Sequence, residues 1–470
     1  MTMKNITKTF LTTVILVTVI SFAVNAQTNV SGGIYSNTTW TLANSPYTVT
    51  DTVVVFPGVT LTIQPGVVVK FDSAMRLEIR QAKLIAIGTN TDSITFTSSS
   101  SSPTPGIWDE IYLNGGSFTS KFNFCNFRYA NYALYNFQNQ LDTLIIKNSS
   151  FRNNNVGPTS QALDPFVFID SCIFRNNTIY GLKGIGGGIT QRGEVNHCNI
   201  SYNQTGLSGA GVIVKNCVID SNQTGLYVDN AIVDKCFING NQYGLLDGAT
   251  NTLIKNSTIN SNSILGIKMG GGGGDEIDSC VIKYNEIGID DITTINISKN
   301  IIENNTIGIQ MSVPYGLISC NKICNNSSYD LKYSGTSNFT VANNYWCTSD
   351  SASTEAVIYD GYDNVNYGLV SFMPIDTLQC YLTTGISENV LQKFSFNIFP
   401  NPASDYLTIA MPANVSKAEI KIYNLLGELE YSSIDTKQST NIDVSTLASG
   451  LHIIQIATGN NISRQKFIKQ

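Results

Sequence analysis

The run Val214-Lys215-Asn216-Cys217-Val218-Ile219-Asp220-Ser221-Asn222-Gln223-Thr224-Gly225-Leu226 is followed, 19 residues on, by Val233-Asp234-Lys235-Cys236-Phe237-Ile238-Asn239-Gly240-Asn241-Gln242-Tyr243-Gly244-Leu245. The two agree at an apolar residue, Cys, Ile, Asn, Gly and Leu. Eleven copies can be anchored on the Cys position: Cys125, Ser149, Cys172, Cys198, Cys217, Cys236, Ser257, Cys280, Asn300, Asn321 and Asn344, spaced 19 to 26 residues apart. The residue three before each anchor is apolar in every copy, from Phe122 to Val341. The residue two after is always Phe, Ile or Trp, from Phe127 to Trp346. Five after the anchor, nine consecutive copies carry Asn, from Asn154 to Asn326. Three unbroken columns mark a repeat protein.

A unit this short cannot bury its own core and must stack on its neighbours. The anchor and the residue two after it alternate as in a strand. The odd steps on either side would throw the flanking columns to the opposite face of a straight strand. All four columns point inward only if the chain turns a corner between them. Short strands joined by corners make a polygon, and stacked polygons make a parallel β-helix. Gly eight residues after the anchor, as at Gly206, Gly225 and Gly244, suits a further corner, because Gly tolerates positive φ. Stacked Asn side chains can bond along an in-register ladder. A leucine-rich repeat shares the apolar spacing and the Asn. It needs a Leu two after the Asn and a helix-forming convex segment, and neither is present. The pattern resembles the right-handed parallel β-helix shared by pectate lyases, polygalacturonases and many surface proteins. The expected fold class is all-β, a right-handed parallel β-helix followed by a small C-terminal β-sandwich.

Met1–Ala26 reads as a signal peptide, with Lys4 and Lys8 ahead of the apolar Leu11–Val24 and cleavage expected after Ala26. Residues 27–120 are expected to open the stack, with Trp40, Tyr47 and Trp108 as candidate plugs for its end. Residues 121–380 hold the repeats and 381–392 a linker. Charged residues are only 13% of the 470-residue chain, against about 25% in an ordinary globular protein. The net charge of −6 argues against nucleic acid as a partner. No stretch after the signal approaches a transmembrane span, and a monomer is expected. Of the ten cysteines, the six in the anchor column should be free thiols, because parallel Cβ vectors on neighbouring coils give poor disulfide geometry. Cys324 and Cys347 fall three residues after successive anchors and are the candidate disulfide.

Lys393–Gln470 changes character. It carries Pro400-Asn401-Pro402, Tyr423-Asn424-Leu425-Leu426-Gly427 and Leu447-Ala448-Ser449-Gly450 among alternating strands and regular turns. These elements resemble the type A C-terminal sorting domain of the type IX secretion system of Bacteroidetes. The resemblance implies the type IX machinery as a partner, and release from the cell or attachment to its outer surface.

Chemistry is sparse. The two histidines, His197 and His452, have no triad or metal partners in sequence. Of the motifs that polygalacturonase-like enzymes carry, Asp290-Asp291 is present, and neither Gly-His-Gly nor Arg-Ile-Lys is. A lyase-like acidic cluster could draw on Asp229, Asp247, Asp290 and Asp291, which lie two to four residues beyond the Gly column. Asp229 and Asp247 would stand about 5 Å apart if aligned, close enough to hold Ca²⁺, the one cofactor in view. Strand-ending aspartates in solvent are the plainer reading, and no catalytic residue is assigned. Tyr202, Tyr227, Tyr243 and Tyr284 could stack on sugar rings. The expectation is a non-catalytic glycan-binding or adhesin-like scaffold. A lyase or glycoside hydrolase acting on an acidic polysaccharide is the alternative, and a structural spacer a third.

Overall fold

A computed structural model describes residues 27–115, 119–137, 143–160, 166–186, 193–248, 250–270, 273–291, 295–381, 396–411, 418–424, 429–435, 439–458 and 461–470. The expected signal peptide, nearly all of the expected linker and the glycine-rich residues 187–192 and 271–272 lie outside the described residues. Two compact units divide the chain, Met1–Leu382 and Thr383–Gln470.

The first unit is a right-handed parallel β-helix. Each coil contributes three strands, as in Val212–Lys215, Val218–Asp220 and Thr224–Asp229. We call the surfaces they build the first, second and third faces. First-face strands form one 13-stranded sheet, and the other two faces run together in a 27-stranded sheet. Pairing is in register from coil to coil. Val214 stands beside Val233, Ile219 beside Ile238 and Leu226 beside Leu245. The four inward columns behave as the spacing requires: Val214, Cys217, Ile219 and Asn222 are all buried.

Both predicted corners exist, and each is made by a single residue in the left-handed region. Asn216 (φ 52°) precedes Cys217, and Ser221 (φ 55°) precedes Asn222. The same conformation falls immediately before all eleven anchors, on Phe124, His197, Lys235 and Lys299 among others. Positive φ is costly for such side chains. It is tolerated because the next residue is locked inward. At the second corner the lock is the Asn column. Asn203 donates from both its backbone N–H and its Nδ2 to Asn222 Oδ1 (2.9 and 3.0 Å), and Asn222 does the same to Asn241. The remaining amide hydrogen of Asn222 goes to carbonyls, including Ile200 O at 3.0 Å. The ladder ends where Asn326 donates to Asp330 Oδ1. At the first corner the anchors do similar work. The Cys125 N–H donates to Ser149 Oγ, Cys198 N–H to Cys217 Sγ and Cys280 N–H to Asn300 Oδ1. Cys, Ser and Asn can share one column because each offers an acceptor to the coil before it.

The Gly column differs from expectation. Gly225 lies within a third-face strand, and its φ is not positive. Its constraint is close approach: a Cβ there would stand 2.5 Å from the Gly244 carbonyl oxygen of the next coil. Gly206, Gly244, Gly266 and Gly288 repeat this contact. Trp108 also departs from its expected role. It is fully buried in the third face and stacks on Phe71 at 4.2 Å, so it belongs to the stack and does not plug its end. Trp40 and Tyr47, both buried in the opening coil, stack at 4.8 Å.

The six anchor cysteines are free and buried. Cys324 is bonded to Cys347, and Cys320 to Cys380. Near the end of this unit the helical turn Ser351–Glu355 is capped by Asp350, which accepts from Ser353 N–H. No helix among the described residues is long and apolar enough to cross a membrane. The second unit is two antiparallel sheets of three and four strands around Phe396, Leu407, Ile420, Ile454 and Phe467. His452 is buried in it, between Glu430 and the Ala448 carbonyl.

Replacing Asn222 with Ala strips two donors on Asn203 of their acceptor and frees the Ile200 carbonyl. A loss of about 2–3 kcal/mol is expected in chemical denaturation. Gly225→Ala should destabilise as well, because backbone and not a flexible side chain meets the new methyl. Thiol titration of unreduced, denatured protein should find six reactive groups, rising to ten after reduction.

Candidate functional site

Strand alternation decides what the candidate aspartates can do. Asp290 and Asp291 are consecutive in the strand Ile287–Asp291 and point to opposite sides. Asp290 faces outward, 3.7 Å from Lys268 Nζ, and accepts from Gln310 Nε2 at 3.2 Å. Asp291 is fully buried, in register with Met269 and Met311. They cannot act as a pair on one substrate. Asp229 and Asp247 are not aligned either. Asp247 stands beside Val228, one residue out of step, and is buried with Thr252 Oγ1 donating to it at 2.7 Å. Asp229 is half-buried and accepts from Thr250 N–H. The one-residue offset removes the geometric ground for a Ca²⁺ site shared by these two. Among the described residues no group of three His, Cys, Asp or Glu could hold a metal ion.

Asp229 does line a groove of about 360 Å³ on the third face, with Tyr227, Ser208 and Gly209. Tyr227 belongs to an outward row that register ties together coil by coil. The row begins Glu78, Tyr112, Tyr135, passes the buried Thr159, and continues through Lys183 and Ser208 to Tyr227. Tyr202 and Tyr284 are not on this face. They occupy the left-handed corner positions before Asn203 and Asn285 and are exposed.

The row opens on a constellation whose charged residues, Arg76, Glu78 and Glu110, precede the first anchor and so fall outside the repeat frame. Arg76 lies 3.6 Å from Glu78 and 3.8 Å from Glu110, touching both carboxylates. Glu78 is buried and fully engaged, with Arg80 Nε at 2.7 Å and Asn114 Nδ2 at 2.9 Å. The Arg80 hydrogen bond holds its carboxyl below the usual range, against the opposing effect of burial. Glu110 has the opposite fate: burial, with Asp109 adding to it, pushes it up to about 7. Tyr132 is in register with Glu110, and Tyr135 with Tyr112. The Tyr112–Tyr135 and Tyr132–Tyr135 centroids are 5.6 and 5.3 Å apart, and Arg76 lies 5.8 Å over the Tyr112 ring. Burial and the neighbouring Glu110 raise the phenols of Tyr112 and Tyr135, so neither is a ready base. The cluster offers half-exposed aromatic faces, one Arg between two carboxylates, and one carboxyl that titrates near neutrality. The outward alternation of Glu78-Ile79-Arg80 and Glu110-Ile111-Tyr112 is the signal in the sequence that would have found it.

Family models agree with this architecture. Residues 208–346 match a right-handed β-helix region, and residues 32–130 a pectate-lyase-like β-helix domain. Residues 397–470 match a secretion system C-terminal sorting domain, which marks the chain for secretion or surface attachment. A curated ulvan lyase of Nonlabens ulvanivorans is 34% identical over 80 residues, 17% of this chain. The chain spans about 15% of that relative's length. An alginate lyase from Paenibacillus sp. str. FPU-7 aligns over 68% of this chain and 93% of its own, at 11% identity and a TM-score of 0.25. The chain is a right-handed parallel β-helix protein that ends in a secretion-system sorting domain.

Proposed function

We propose that this chain is delivered by the type IX secretion machinery and that its β-helix then binds polysaccharide along the third face without cleaving it. The observation that carries the reading is the outward row opening on Tyr112 and Tyr135, with Arg76 above it and Tyr227 and the Asp229 groove further along. Half-exposed rings on a rigid sheet offer flat apolar surface to sugar rings at little entropic cost, and the flanking Arg and carboxyls offer hydrogen bonds to hydroxyls.

Cleavage is the second reading, and Glu110 is what favours it. A carboxyl that is half protonated near pH 7 is suited to give a proton to a leaving glycosidic oxygen. The 80-residue likeness to an ulvan lyase is in keeping with carbohydrate chemistry, but it is much shorter than the solenoid. Against cleavage stands Glu78. A retaining or inverting hydrolase needs a second, available carboxylate, and Glu78 is buried under Arg80, Arg76 and Asn114. An eliminating lyase needs a base, and burial and Glu110 raise the phenols of Tyr112 and Tyr135.

Purified full-length chain incubated with neutral and acidic polysaccharides should be retained on at least one of them and release no new reducing ends. Tyr112→Ala and Tyr135→Ala should each weaken that retention about tenfold, the size of a lost ring contact. New reducing ends that vanish in Glu110→Gln would replace this reading with the enzymatic one.

Glu110 also predicts a pH dependence. Its folded pKa lies above the unfolded value of a carboxyl, so its contribution favours the fold at low pH and fades as pH rises through about 7. Glu110→Gln should therefore melt with the native chain at pH 4 and above it at pH 8, by on the order of 2 kcal/mol.

A further inference from the structure

The second face carries a feature that the polysaccharide row does not use. Arg128, Arg152 and Arg175 each lie three residues after successive anchors. Register pairs Arg128 with Arg152 and Arg152 with Arg175, so three guanidinium groups stand one above another on consecutive coils. Coils in such a stack repeat at about 4.8 Å. Like charges directly opposite on neighbouring strands repel. A chain with net charge −6 has acids available to break such a column, and further along it does. There Glu303 stands in register with Lys283 and pairs with both Lys283 and Lys322. None of the three arginines forms an ion pair with a described residue; the ion pairs of this unit lie elsewhere.

Their backing is rigid. The residue before each arginine points inward, and Phe127, Phe151 and Phe174 stack with centroids 4.5 and 5.2 Å apart, continuing from Phe96. This column of parallel rings holds the three backbones at fixed height, so the outward arginines are spaced before any ligand arrives. Arg128 and Arg175 are exposed and Arg152 half-buried. Arg152 Nε donates to Ser150 Oγ at 2.9 Å, which orients the guanidinium along the strand, and Arg175 lies over the Tyr202 ring at 4.5 Å. Beside the first two runs a groove of about 400 Å³, lined with Asn126, Asn148 and Ser150.

We propose that Arg128, Arg152 and Arg175 form a binding site for a polyanionic polysaccharide, with one carboxylate or sulfate on each coil and the sugar chain running along the solenoid axis. A polyuronate offers one carboxylate per sugar, a repeat close to the coil spacing, and guanidinium is matched to carboxylate and sulfate oxygens. The amides and hydroxyls of the groove suit the ring hydroxyls. The site is on a different face from the tyrosine row and does not depend on it.

The test measures binding of full-length chain to polygalacturonate, to its fully methyl-esterified form, and to dextran sulfate against dextran. Charged chains should bind at least about tenfold tighter than their neutral partners, with affinity falling as salt rises. Whichever of carboxylate or sulfate binds more tightly identifies the anion. Arg152→Gln should weaken binding about tenfold, a loss of about 1.4 kcal/mol. The triple change Arg128→Gln, Arg152→Gln and Arg175→Gln should abolish the preference for charged chains over their neutral partners and, by removing repulsion, melt no lower than the native chain. Lys121→Gln, an exposed cation on the first face, should change nothing. Three results would each overturn the proposal: undiminished binding by the triple variant, equal binding of esterified and free polygalacturonate, or equal binding of a DNA oligonucleotide.

Discussion

The hydrogen bond from each corner Asn to the Asn of the next coil is the interaction on which the rest of the solenoid depends. A coil makes two sharp turns, each through a residue in a conformation that L side chains resist. Such a turn persists only if its neighbours over-determine it. The inward Asn supplies that. It accepts two hydrogen bonds from the coil before and returns its own hydrogens to carbonyls and to the coil after. Corner, register and spacing are thereby set together. Every outward residue inherits its position from this inward column. The tyrosine row and the arginine column are aligned because the amides behind them are.

Two levels of packing add to it. On the second face Phe rings stack in the early coils and Ile replaces them later. On the third face glycines let neighbouring backbones approach closely. The anchor column is mixed in chemistry but uniform in task, because Cys, Ser and Asn each give an acceptor to the preceding coil. Burial raises the thiols of Cys125 and Cys280 strongly, in keeping with a packing and hydrogen-bonding role and not a reactive one.

The inward half of the solenoid was legible in sequence, because inward residues recur. The apolar columns, the Asn ladder, both corners and the free thiols all follow from spacing. The outward half was less legible, because outward residues are free to vary from coil to coil. Asp229 lies four residues after its Gly and Asp247 three after its own, and the register keeps that one-residue difference, so pairing puts Asp247 beside Val228. The Gly column was found but given the wrong reason, since a short contact between coils and a positive φ demand the same residue. Glu78 and Glu110 precede the repeat frame, so no column contained them. The arginines sat in a column that had been counted only for cysteines. Cys320 and Cys380 are 60 residues apart, and no local pattern joins them.

The Asn ladder also has a direction. Each Asn donates toward the C-terminal coils and accepts from the N-terminal side, beginning with the Ala130 N–H that donates to Asn154. Asp330 closes the series, and burial raises its carboxyl even as it accepts from Asn326. A carboxyl group accepts as an amide oxygen does but has no amide hydrogens to hand on. The series is therefore a vectorial polymer with a chemical terminator. Whole coils can be inserted or removed anywhere between Asn154 and Asn326 without changing the bonding rule. The place where the ladder stops is written into one side chain, so the length of this solenoid can evolve in steps of a single coil.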